Sequence, residues 1–79
     1  MAAKQPVIPW SDRAKFYLKA ELKRRDVTHE HLAELLKKQE VKETKASIAS
    51  KLSRGTFTAG FFLAALKAIG CETVRLEDI

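Results

Sequence analysis

"ASIASKLSRGTFTAGFFLAALKAIG", Ala46 to Gly70, joins two unlike segments. "SIASKLSR" is small, hydroxyl-rich and cationic, whereas "FFLAALKAI" is almost wholly apolar. Within the first, Ile48 and Leu52 stand one helical turn apart, so a helix here buries one narrow stripe. Thr44 is placed to cap its start, and Gly55 sits where a left-handed residue ends a helix. In the second, Thr58 caps and Gly70 terminates. Phe62, Leu66 and Ile69 form the expected inner stripe, which Phe61, Ala64, Ala65 and Ala68 widen until only Lys67 is plainly wet. A helix apolar nearly all round is central or shared with a partner. Truncating Phe62 is expected to cost roughly 3–5 kcal/mol. The arrangement suggests that the apolar helix supports the polar one, leaving the outer face of the polar helix free to meet a ligand.

Upstream, two more helices are expected. Pro6 and Pro9 impose an extended path on the first residues, so residues 1–10 read as a flexible arm and 11–79 as a single domain. Ser11 is a suitable N-cap, with Asp12 in the first turn, and Ala14, Leu18 and Leu22 follow at intervals of four. This predicts a helix over 12–25, ended by Lys23, Arg24 and Arg25, whose charges suit a helix C-terminus. Phe16 falls on its far side. Thr28 caps the next helix, whose buried face is Leu32, Leu35 and Leu36, ending near Gln39. Val41, alone in a polar turn, reads as a plug into the core. After Gly70, "CETVRL" suits a short extended segment that would need an edge to pair with, such as its own copy in a homodimer. The fold class is therefore all-α: a compact four-helix domain with a short extended C-terminal segment.

Seventy-nine residues hold one core, and such a small chain is marginal by itself. Cys71 is the single cysteine, so no intrachain disulfide supports the fold; a lone thiol and the absence of a signal-like apolar run suggest a cytoplasmic protein. No run is long enough to span a membrane. The net charge is +5, unevenly spread. Residues 1–54 carry thirteen Lys/Arg against seven Asp/Glu, and residues 55–79 carry two against three. A basic half suits an anionic partner, most simply nucleic acid, though it also suits solvated helix faces.

"THEHLAELL", "SIASKLSRG" and "FLAALKAIG" together resemble the helix-turn-helix domains of the lambda-repressor/Cro type. The matching positions are Thr28, Leu32, Ala33 and Leu36, then Leu52 to Gly55, then Leu63, Leu66, Ala68, Ile69 and Gly70. More narrowly, "WSDRAKFYLKAELKRRDVT" and "KLSRGTFTAGFFLAALKAIG" look like a family of small bacterial proteins without an assigned function. The wider resemblance implies a DNA-binding protein of the small transcriptional-regulator kind, its third helix, about 45–54, entering the major groove. The path from Leu36 to Ile48 is longer than usual for the type and lacks glycine, which leaves the docking angle open.

The outer face of that third helix fits the role. Ala46, Ser47, Ser50, Ser53 and Arg54 point outward, with Lys45 and Lys51 at the margins. Small residues let a helix sit deep in the groove, serine hydroxyls can bond phosphate or base edges, and Arg54 can fork onto guanine or phosphate. Thr28 and Thr44, at helix N-termini, complete the candidate double-stranded DNA site of Thr28, Thr44, Lys45, Ser47, Ser50, Lys51 and Arg54. Lys4 in the arm can follow the backbone. The rival reading is a protein-interaction module that uses the apolar surface of helix 4 with Phe16 and Phe61. Single-stranded RNA would call for stacking aromatics on the basic face, and the aromatics read as inward. No catalytic, cofactor, metal or small-molecule site is expected. His29 and His31 are two apart on a helix and diverge, and no phosphate loop or nucleophile motif is present.

Overall fold

The computed structural model describes residues 7–79. It contains four helices: α1 over Trp10–Arg24, α2 over His29–Lys37, α3 over Lys45–Arg54 and α4 over Ala59–Ala68, followed by a 3-10 turn at Leu76–Asp78. No strand forms among the described residues. The domain is all-α with four helices. The contribution expected of Lys4 lies outside the described residues.

Three helix starts are set by threonine. The Thr28, Thr44 and Thr58 hydroxyls accept from the backbone N–H of His31, Ser47 and Phe61, each at 3.0 Å. The first helix differs. It begins at Trp10 with Pro9 as the cap, two residues before the expected start, and Ser11 lies inside it. The reason is local: Pro9 has an extended backbone, and its carbonyl accepts from Arg13 N–H at 3.0 Å, closing the first turn upstream of Ser11.

The helix ends share a device. Asp26, Glu40 and Gly70 all have positive φ, and the next residue in each case, Val27, Val41 and Cys71, donates its N–H back five positions to Leu22, Leu36 and Leu66. This is the Schellman closure, in which the residue after the left-handed position also makes an apolar contact with the preceding turn. Val27 and Val41 pack on the core, and Cys71 is part of it. Val41 is thus the expected plug, and the closure explains why it is there. α2 stops at Lys37, with the turn running through Gln39 and Glu40.

Helix α2 packs on α3 and α4, and α4 also packs on α1. Their shared core is led by Leu18, Leu22, Leu32, Leu36, Ile48, Leu52 and Leu66. In α4 the inward stripe is turned partway from the expected one and keeps Leu66. Phe61, Ala65 and Leu66 are buried, while Phe62 and Ile69 are only half-buried. With apolar residues on nearly every side, periodicity does not select a face, and the neighbouring rings do. Phe57 lies 5.5 Å from Phe61 and stacks at 6.1 Å on Phe62, which also meets Tyr17 of α1 at 6.5 Å. Phe61 is therefore not surface for a partner, and the large apolar residue that α4 exposes is Leu63.

The C-terminal segment folds back on its own chain. Val74 packs against the core, and Arg13 of α1 donates from Nε at 3.0 Å and from Nη2 at 2.6 Å to the Ile79 carbonyl.

Candidate nucleic-acid interface

Helix α3 is held by Ile48 and Leu52, at 0% and 1% exposure. That fixes the outward direction. Ala46, Ser53 and Arg54 are exposed, and Ser50 is half-buried on the same side. Gly55 ends the helix at φ 70°, a left-handed conformation. A Cβ there would also come within 3.3 Å of the Asp12 and Lys15 side chains on α1, which would have to shift by a few tenths of an ångström, so both the backbone and the close approach favour glycine. The C-terminus of α3 thus abuts the start of α1.

The two margins of α3 differ. On one side lies a shallow groove of about 310 Å³, lined by Lys19, Leu22 and Lys23 of α1, by Val27, Thr28 and His29 at the start of α2, and by Lys45. The three lysines are exposed and make no ion pair among the described residues. Two residues expected at the site, Thr28 and Lys45, therefore meet here, together with Lys19, Lys23 and His29, which were not expected.

The other margin is internally engaged. Glu43, in the turn before α3, accepts from Ser47 Oγ at 2.6 Å and from Lys51 Nζ. Its side chain is only 9% exposed. The Lys51 ammonium also lies 4.8 Å from the Phe61 ring centre on α4. Thr44 and Ser47 bond each other reciprocally: the Thr44 hydroxyl takes the Ser47 N–H, and the Ser47 hydroxyl takes the Thr44 N–H at 2.8 Å. Burial works to raise the Glu43 carboxyl, but hydrogen bonds from Lys51 and Ser47 outweigh it and hold it below the ordinary carboxylate range. Of the seven candidate residues, Thr44, Ser47 and Lys51 thus belong to one intramolecular network.

Arg54 is exposed and without an ion pair among the described residues. It stands nine residues from Lys45, which at 3.6 residues per turn puts the two on opposite sides of α3. A ligand touching both must straddle the helix. Lys23, Arg24 and Arg25 split in the same way. Arg24 and Arg25 pair with Glu21, a carboxylate buried in α1, and Arg25 also donates to the Ile69 carbonyl at 3.1 Å, joining α1 to the end of α4. Only Lys23 of the three faces the groove.

Two signals in the sequence point to what was not expected. Lys19 and Lys23 are four apart, flanking Leu22, which places both on one side of α1. Glu43, Ser47 and Lys51 are also spaced by four, the spacing at which side chains meet along one helix face. Among the described residues no three of His, Cys, Asp and Glu are placed to share a metal ion, and no helix is long and apolar enough to cross a membrane.

A family model described as a domain of unknown function (DUF6471) matches residues 10–74, covering both stretches that set the narrower resemblance. No curated protein and no solved structure matches.

Proposed function

The chain belongs to this family of unknown function (DUF6471), and from the site itself we propose that it binds double-stranded DNA. In this reading it is a small cytoplasmic transcriptional regulator of lambda-repressor-like type, acting as a homodimer. Helix α3 enters the major groove with Ala46, Ser50, Ser53 and Arg54 leading. Lys45 and the α1 lysines Lys19 and Lys23 lie along one strand's phosphates. One observation carries the reading: α3 has an outward face of small side chains, and at its start lies a groove with three exposed lysines that make no ion pair among the described residues. Small residues permit depth in the groove, and free cations supply the salt-sensitive part of the affinity. The test is fluorescence anisotropy on a random-sequence duplex across a salt series. Binding that weakens steeply with salt, with a log–log slope made shallower by about two in Lys45→Ala/Arg54→Ala, supports it. No binding at the lowest salt sinks it.

A second reading has its own observation. Ile8, Phe16, Tyr17, Ala20 and Ile79 line a groove of about 790 Å³ beside α1 together with the charged Arg13, Glu21, Arg24 and Asp78, and Phe16 is 54% exposed. A protein-interaction module would use this groove or the separate apolar surface of α4 at Leu63. A stable stoichiometric protein complex without salt-dependent DNA binding favours it.

A further inference from the structure

Lys51 is one of two cations near the outer face of the C-terminal half of α3, and its charge is already spent within the molecule. Its ammonium meets a Glu43 carboxylate that has little access to water. The same carboxylate takes the Ser47 hydroxyl, one turn earlier on the same helix. Glu43 thus lies along α3 and satisfies two groups that a phosphate oxygen would otherwise satisfy. Drawing Lys51 away would leave the Glu43 carboxylate with only the Ser47 hydroxyl among these two donors, which is unfavourable. It would also remove the ammonium from the Phe61 ring. Among the described residues the opposite margin has no such partner, and Lys19, Lys23 and Lys45 make no ion pair there.

We infer that Glu43 is a built-in rival of the DNA backbone: it occupies Lys51 and Ser47, withholds that margin of α3 from phosphate, and leaves the duplex to be tracked along the Lys19, Lys23 and Lys45 margin. This rests on the DNA-binding reading. It makes Lys51 a positioning residue that ties the long α2–α3 turn to α3 and α4, in place of the phosphate contact its charge suggests. The depressed carboxyl of Glu43 agrees with the geometry, because the hydrogen bonds from Lys51 and Ser47 favour its charged form.

The test uses the full chain and a random-sequence duplex, with anisotropy followed over a salt series. Wild type, Lys51→Met, Glu43→Gln and the Glu43→Gln/Lys51→Met pair are compared, each checked for native helix content by circular dichroism. Lys51→Met in the wild-type background is expected to leave the log–log salt slope unchanged. Glu43→Gln is expected to steepen it by about one and to raise low-salt affinity several-fold, because a cation is released for phosphate. Adding Lys51→Met to Glu43→Gln is expected to abolish that gain. A purely structural role would not give this pattern, since it would couple Lys51 and Glu43 in stability and leave the salt slope unchanged. If Lys51→Met alone flattens the slope by about one, or Glu43→Gln leaves it unchanged, the inference is overturned while the DNA reading stands. Binding seen only with Glu43→Gln overturns the inference as well, because wild type would then not hold the duplex along the Lys19, Lys23 and Lys45 margin. Absence of binding by all four proteins at the lowest salt overturns both. Should Lys51→Met lose its helix content, the two Glu43→Gln proteins decide the matter, because neither buries an unpaired charge.

Discussion

Helices α3 and α4 are both ten residues long, both begin after a threonine cap, and both end near a left-handed glycine. They differ in how their faces are chosen. In α3 only Ile48 and Leu52 are large and apolar, so one orientation buries them and the polar residues reject every other. In α4 apolar residues surround the axis, and several rotations bury similar area. The orientation is decided from outside, by Phe57 and Tyr17. Polar residues specify orientation as much as apolar ones drive burial, a division seen in core-facing helices generally.

The largest expected effect tests this contrast directly. Phe61→Ala should destabilise the fold by roughly 3–5 kcal/mol in urea unfolding, and Phe62→Ala by clearly less, because Phe62 is half-buried. Equal losses would break the account of α4. In α3 the counterpart is Ile48→Ala, expected to cost about 2–4 kcal/mol, with no second residue able to take its place.

The helix ends offer smaller effects. Thr44→Ala and Thr58→Ala should each cost about 1 kcal/mol by thermal unfolding. Thr44→Ala should cost the more, since only Thr44 has a reciprocal partner in Ser47. The network behind that cap also titrates. The Glu43 carboxyl is lowered in the folded state, so its contribution is complete above the ordinary glutamate value of about 4.3 and is lost as pH falls through the lower folded value. Melting temperatures followed from pH 7 to pH 3 should fall less for Glu43→Gln than for wild type. An equal fall would place the acid sensitivity elsewhere.

The smallest effect has the opposite sign. Glu40 holds φ 59° with a side chain attached, where Gly70 closes α4 in the same manner without one. Glu40→Gly should stabilise by up to about 1 kcal/mol, part of the left-handed penalty being returned as entropy in the unfolded chain. A loss of stability would mean that the Glu40 side chain contributes to the closure.

Much of the fold was legible in residues. Thr28, Thr44 and Thr58 marked helix starts, Gly55 and Gly70 marked ends, and Ile48 and Leu52 set the face of α3. Three matters were not legible at that level. The start of α1 at Trp10 depends on the Pro9 carbonyl, a backbone group that carries no side-chain signal. The rotation of α4 depends on rings contributed by other segments. The closures at Asp26 and Glu40 use residues that seldom adopt positive φ, and only the apolar residue after each hints at them. At the candidate site, the exposure of Arg54 followed from the inward pair of α3, whereas Lys45 lies on the side of that pair and is exposed because it opens the helix. The engagement of Thr44, Ser47 and Lys51 had only the spacing of four from Glu43 to Ser47 to Lys51 as a signal, because Glu43 lies outside the helix and reads as one more acidic residue in a polar turn.

The three backbone closures at Asp26, Glu40 and Gly70 have a kinetic consequence. Each is completed between residues five apart, so helix ends are defined before any distant part of the chain arrives. Contacts of short sequence separation carry little loop-closure entropy and go with rapid folding. The slowest ordering is then left to the ties that span the chain, Arg25 to Ile69 and Arg13 to Ile79. Stopped-flow refolding should show Arg13→Ala unfolding faster while folding at nearly the wild-type rate, the pattern of an interaction formed after the transition state.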